Sequence, residues 1–230
     1  MRWLLTVIIA LAAGFAGSAL WSLSGFGEDS TRTYLLANPE VLPQAMDVLR
    51  QREQLARIEP LRGELERPFP GAVLGNPSGS VTLVEFSDYA CTYCRQSVAD
   101  IAALIAAHPD LKVVMREYPI LSAESVDAAR MALAAAQQGK YARFHDAMFR
   151  LGPPTAEAIG AAAREAGVDL ELANAAIASG QFDLPLRANA SLASQLGISG
   201  TPGWVIGGQS FDGAVGREVI GEAIEAARRS

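Results

Sequence analysis

Cysteine and histidine are scarce in this chain, with two of each among 230 residues. That scarcity argues against most metal-centred chemistry. A structural zinc site takes four ligands, usually from two Cys-x-x-Cys pairs or one such pair with a close His pair. His108 and His145 have no such spacing, so no metal site is expected. Covalent haem attachment requires a histidine directly after the second cysteine, where this chain has Arg95. Charge is also thin. Only 19% of residues are charged, the net charge is −6, and there is no basic block, so no nucleic-acid footprint is expected. Histidine-rich and acidic metal-buffering tracts are absent. The apolar share, 50%, is ample for one sizeable α/β core with appendages.

Long hydrophobic runs are also missing, with one exception. Residues 3–23 carry no charge, and the first acid after them is Glu28. About 20 apolar residues suffice to cross a bilayer as a helix, and Trp3 and Trp21 stand where interfacial aromatics would flank such a span. Residues 1–24 are therefore expected to form a transmembrane anchor or a signal peptide. A small-x-small site at Ala16-Gly17-Ser18 fits the second alternative less well, because apolar Ala19-Leu20-Trp21 follows it. Either way the rest of the chain is expected in the periplasm or on the extracytoplasmic face, anchored to the inner membrane if the segment is retained. Disulfides persist in that setting.

The two cysteines, Cys91 and Cys94, stand two residues apart, after the β-prone run Val81–Phe86 and at the start of a helical pattern reaching about Ala107. A bridge closing so short a loop removes little entropy from the unfolded chain and makes a poor structural staple. The placement suits redox chemistry better. The N-terminus of a helix favours a thiolate at Cys91, and Cys94, one turn on, can attack a mixed disulfide formed there. Cys91 is the expected nucleophile and Cys94 the expected resolving thiol. Two soft thiolates also suit Cu(I), so copper handling is the alternative.

The run Glu85-Phe-Ser-Asp-Tyr-Ala-Cys91-Thr-Tyr-Cys94-Arg95 resembles the active-site segment of DsbA-family thiol:disulfide oxidoreductases. The later Gly200-Thr-Pro202-Gly-Trp-Val-Ile-Gly-Gly208 resembles that family's cis-proline loop and following hairpin. Within the family, the suppressor-of-copper-sensitivity and outer-membrane-antigen-like branch is most similar, through Tyr34-Leu-Leu-Ala-Asn-Pro-Glu40, Glu117-Tyr-Pro-Ile-Leu121, Ala128-Ala-Arg130 and Phe144-His145. The resemblance implies a thioredoxin-like α/β fold over residues 72–230 with an inserted helical subdomain at about 122–196. It also implies a cis Thr201–Pro202 bond facing Cys91, with Thr201 and Tyr93 as substrate contacts. Glu85 would be a buried acid beneath the disulfide that takes the proton of Cys94. Strand alternation independently places Glu85 with apolar Val81 and Leu83. No cofactor is expected. The implied partners are reduced or unfolded exported proteins and a membrane redox partner that resets the cysteine pair.

Between the apolar run and the catalytic segment, residues 25–71 read as a polar tether and then a helical arm from Tyr34 to about Glu66. Asn38 is expected to cap a helix that has Pro39 at its first position. The arm's apolar stripe is narrow; the resemblance makes the arm a candidate for self-association, since related proteins form dimers or trimers through their upstream helices, with packing on its own catalytic domain or spacing it from the membrane as the alternative. His145 and His108 are read as a packing residue and a helix-end residue. The pair Thr92-Tyr93 replaces the Pro-His of strongly oxidising relatives, which leaves oxidase and isomerase both open.

Overall fold

The computed structural model describes residues 2–23 and 26–229, with side chains at position 3, at 6–20 and from 30 onward. It divides into two compact units that meet in sequence between Arg50 and Gln51.

The first unit is helical: α1 (Arg2–Leu23), α2 (Phe26–Ala37) and the start of α3 (Val41–Ile58). Residues 26–32 are thus helix where a tether was expected. Asn38 closes α2 instead of capping α3, its amide and side-chain nitrogens both donating to the Tyr34 carbonyl, at 2.8 and 2.9 Å. The expected membrane helix is not borne out. Among the described residues no helix is long and apolar enough to cross a membrane. Trp21 lies outside the described side chains. Leu42, Met46 and Leu49 of α3 are exposed.

The second unit is built on a five-stranded mixed sheet in the order β1-β3-β2-β4-β5. Its strands are β1 (Val73–Gly75), β2 (Val81–Ser87), β3 (Leu111–Glu117), β4 (Gly203–Ile206) and β5 (Gln209–Asp212). β2 and β3 run parallel, joined by α5 (Thr92–Ala107), while β1 and β4 pair antiparallel at either side. β4 and β5 form a hairpin around Gly207-Gly208. Between β3 and β4 come α6 (Ala123–Gln137), α7 (Tyr141–Leu151), α8 (Ala156–Ala166), α9 (Leu170–Ala178) and α10 (Asp183–Leu196), and α11 (Arg217–Ala227) closes the chain. Ser122, Thr155 and Asp169 cap α6, α8 and α9 by accepting from backbone amides.

Period-two alternation divides the strands between two cores. Val81, Leu83, Leu111, Val113 and Met115 face the larger core, which includes Met131, Met148 and Phe149 from the helices. Val84, Phe86, Val114 and Val205 face a smaller one with Leu192 and Leu196 of α10. Ile58 and Leu65 belong to this second core. The boundary expected at residue 72 therefore moves to Gln51, and the later half of the supposed arm packs on its own domain.

Arg116 explains that packing. It points from β3 into the second face and is buried. Its guanidinium donates to the carbonyls of Leu65 at 2.9 Å and Arg67 at 2.8 Å, to that of Glu64, and to Asn189 Oδ1 at 3.1 Å. These carbonyls terminate a short helix, α4 (Arg62–Leu65), so the cation sits at the negative end of its dipole. Arg116→Met removes these charge-assisted bonds and is expected to cost about 2 kcal/mol, read as a lower urea midpoint. An unchanged midpoint would show that residues 62–67 dock without it.

Candidate active site

The central strand β2 ends at Ser87, and Asp88 makes the turn into α5. Its carboxylate is buried yet fully used. Oδ1 accepts from the Ala90 amide at 2.8 Å and from Ser125 Oγ at 2.6 Å, while Oδ2 accepts from the amides of Ile120 and Leu121 at 2.8 and 2.9 Å. The Asp88 carbonyl accepts from the Cys91 amide at 3.0 Å. One side chain thus ties the turn before Cys91 to the loop after β3 and to the start of α6.

Cys91 is the N-cap of α5. Its backbone is extended, and its sulfur accepts from the Cys94 amide at 3.4 Å. Such an amide, at the positive end of a helix, stabilises negative charge on sulfur. On the other side the Cys91 thiol donates to the Thr201 carbonyl at 3.2 Å. Both cysteines are free thiols. They differ in access: Cys91 is 5% exposed and Cys94 0%. Burial pushes the Cys94 thiol far above its ordinary value, and the nearby charge of Glu85 adds to the shift. Two thiols one turn apart thus occupy very different environments.

The Thr201–Pro202 bond is cis. Gly203 follows, where a side chain would collide with Ile198, and the Trp204 indole donates to the Gly213 carbonyl at 2.9 Å. Tyr93, in the first turn of α5, is 58% exposed beside Cys91.

Glu85 lies mid-sheet, paired between Met115 and Trp204. It is buried on the same face as Leu83. Burial raises its carboxyl to about 8. Ser97 Oγ lies 3.4 Å from Glu85 Oε1 and 2.9 Å from the Cys94 carbonyl. Both contacts are satisfied when a protonated Glu85 donates to Ser97 and Ser97 donates onward.

A second buried acid, Glu117, ends β3 on the same face, opposite Ser87, and no catalytic motif marks it in the sequence. Its Oε1 accepts from the hydroxyls of Tyr141 at 2.6 Å and Tyr89 at 3.3 Å, and burial raises it too to about 8. The alternation that exposes Glu85 in the sequence applies equally to Glu117. His145 is buried against Tyr89, Tyr141 and Phe149, with ring centroids 4.8–5.9 Å apart in this cluster, and burial holds it down to about 4. It is neutral in the working range. His108 caps the far end of α5 and faces Glu225 at 3.6 Å.

A dithiol at the head of the helix after the central strand, faced by a cis-proline loop, defines a thioredoxin-fold dithiol protein. Comparison with known proteins makes this narrower. The DSBA-like thioredoxin domain family matches residues 82–225, and the copper resistance protein ScsC N-terminal domain matches residues 32–56. The chain belongs to the DSBA-like thioredoxin family, the family of DsbA-like thiol–disulfide oxidoreductases. A thioredoxin-like oxidoreductase from Silicibacter pomeroyi DSS-3 is 40% identical with a TM-score of 0.66, covering 69% of this chain and 92% of that one. The thiol-disulfide exchange protein alpha-DsbA2 from Wolbachia pipientis is 28% identical with a TM-score of 0.70, covering 77% and 97%. A Na(+)/H(+) antiporter, NhaA 1 of Salinispora arenicola, is 27% identical over 161 residues, 67% of this chain and 24% of that protein. The chain thus spans about a quarter of the length of the curated relatives it matches.

Proposed function

We propose that this protein is an exported thiol–disulfide oxidoreductase that forms or isomerises disulfides in other proteins through Cys91 and Cys94. The observation that carries this reading is the position of the Cys91 sulfur. It caps α5, lies 3.2 Å from the Thr201 carbonyl, and sits above a fully buried Cys94.

In the oxidising direction a substrate thiolate attacks Cys91 of the Cys91–Cys94 disulfide. Cys94 leaves and takes up a proton, which Glu85 is placed to supply. A second substrate thiolate then displaces Cys91 from the mixed disulfide. In the isomerising direction the Cys91 thiolate opens a substrate disulfide. The complex resolves either through a substrate thiol or through Cys94, whose proton passes to the Glu85 carboxylate. Thr201 offers backbone groups beside Pro202 to an extended substrate strand, and Tyr93 offers an exposed ring next to the reacting sulfur. The substrates are reduced or misbridged exported chains, and a membrane redox partner resets the cysteine pair. An extracytoplasmic location follows from the chemistry, since such disulfides persist outside the reducing cytoplasm.

Direction depends on assembly. The exposed stripe of Leu42, Met46 and Leu49 supports self-association through the first half of the arm. Several active sites facing a shared space would favour isomerisation. The test compares the whole chain with one beginning at Gln51, on reduced RNase and on scrambled RNase. Rescue of scrambled RNase by the whole chain alone is the expected result. Equal action of both forms on both substrates would remove the arm from the mechanism.

The alternative is Cu(I) held by Cys91 and Cys94, whose soft sulfurs suit that ion; titration with Cu(I) against a competing chelator distinguishes the two readings.

A further inference from the structure

Helix α10 presents Asp183, Leu186, Arg187 and Ala190 at helical spacing on one face, and Val126 and Arg130 of α6 stand opposite. Between the two helices lies a groove of about 280 Å³, whose lining continues onto Pro119 and Ile120 of the loop after β3. Arg130 ties the helices together, its Nε and one terminal nitrogen both donating to Asp183 Oδ1, at 3.2 and 2.9 Å. The pair fixes the helix spacing, so the groove is formed before anything enters it.

The groove is continuous with the reacting centre. Asp88 Oδ2 accepts from the amides of Ile120 and Leu121, and its Oδ1 accepts from Ala90, the residue before Cys91. The exposed side chains of Ile120 and Leu121 thus link the turn that carries the sulfur to the groove. This is the β3 side of β2, whereas Pro202 leads into β4 on the other side. The charge of the groove is uneven. Arg130 is matched by Asp183 and, at 3.5 Å, by Asp127. Arg187 is exposed and, among the described residues, pairs with no carboxylate.

We propose that this groove is a second substrate subsite, taking a bulky apolar side chain followed by a carboxylate from the chain bonded to Cys91. The inference rests on the substrate-protein reading proposed above and names the kind of segment it favours. The apolar side chain leaves water against Ile120, Val126 and Leu186, and the carboxylate meets the Arg187 guanidinium. Thr201 engages the substrate through backbone groups, which do not read its sequence. The groove adds a preference on the opposite side of the sulfur.

The probes are peptides with a single cysteine and a Leu-Asp pair about two to five extended residues from it, on either side. Each is matched by a peptide with Ala-Lys in the same place. The oxidised whole chain is mixed with an excess of each peptide. One peptide thiolate attacks Cys91, and the Cys91–Cys94 bond breaks with Cys94 taking up a proton. A second peptide thiolate displaces Cys91, leaving a peptide disulfide and the reduced chain. Acid quench and mass follow loss of the oxidised chain. At one of the spacings the Leu-Asp peptide is expected to react about tenfold faster than its match. Ala190→Phe, which fills the groove, should abolish that ratio, and Arg187→Glu should lower it about threefold. A variant that is merely damaged slows both peptides and leaves the ratio alone. No preference at any spacing, or one that survives either substitution, overturns the proposal. A dimer of the unsubstituted chain that Ala190→Phe dissociates would make a second copy the occupant and overturn it as well. A Cys91–Cys94 disulfide that dithiothreitol fails to reduce would instead overturn the redox reading beneath it.

Discussion

Cys94→Ser is expected to leave the protein attached to its substrate. Cys91 still reacts, because the Cys91 thiol keeps its place at the head of α5 and its contact with Thr201. The resolving attack is gone, so release from a mixed disulfide falls to whatever an external thiol supplies. Incubation with a disulfide-bonded peptide should yield a covalent adduct on Cys91 that persists for hours and disappears on addition of dithiothreitol. Cys91→Ser should form no adduct, because the remaining thiol is fully buried and burial holds its proton. Equal adduct formation by the two variants would mean that access does not separate the sulfurs.

Glu85→Gln should move stability and activity in opposite directions. An ordinary glutamate loses its proton near 4.5, whereas folded Glu85 holds it to about 8. Between those values the folded state binds a proton that the unfolded state does not, so stability falls as pH rises across that window. By pH 7 the loss is about 3 kcal/mol at 1.36 kcal/mol per pH unit. Glutamine carries no such penalty. The reduced variant should therefore be more stable than the parent by about 2 kcal/mol at pH 7, after allowing for an imperfectly paired buried amide, and no more stable at pH 4.5. Urea unfolding at the two pH values reads this directly. Resolution by Cys94 should slow by tenfold or more, since its proton has lost its acceptor. A gain that is the same at both pH values would show that Glu85 is not the group titrating. Glu117 contributes a similar pH dependence of its own, which this substitution leaves in place.

The parts of the fold that could be read from sequence were those with local signals. Val81–Phe86 and Leu111–Tyr118 read as parallel strands because their apolar residues are dense and a helical pattern joins them. The insert reads as helical because its stretches are Ala-rich; in the structure Ser122, Thr155 and Asp169 cap helices at their starts, and Gly167 and Gly197, both with positive φ, close them. What was not legible depends on distant partners. Arg116 reads as an ordinary charge in a strand, and only the fold brings it to the carbonyls of residues 64–67. The same separation hid the burial of Ile58 and Leu65, whose partners lie on β2, β3, β4 and α10.

The active site shows the same division. Cys91 and Cys94 stand out by spacing, and Glu85 by alternation. Asp88 does not stand out, because a polar residue after a strand looks like any turn, and its value lies in four donors gathered from three parts of the chain. Glu117 was within reach of the alternation argument. Its neighbours Tyr89 and Tyr141 were not, since neither advertises a carboxylate partner. His145, flanked in sequence by Phe144 and Phe149, reads as a packing residue, and its ring contacts fit that reading.

The central claim is that Cys91 and Cys94 cycle between dithiol and disulfide. It is tested most directly by equilibrating the protein over a series of glutathione redox buffers, quenching with acid and weighing the intact chain. The expected result is a single two-electron transition in which the chain loses two hydrogens and both thiols become unreactive together, with peptide mapping joining Cys91 to Cys94. A chain that stays dithiol throughout, or gathers stable glutathione on Cys91 while Cys94 remains free, would contradict it.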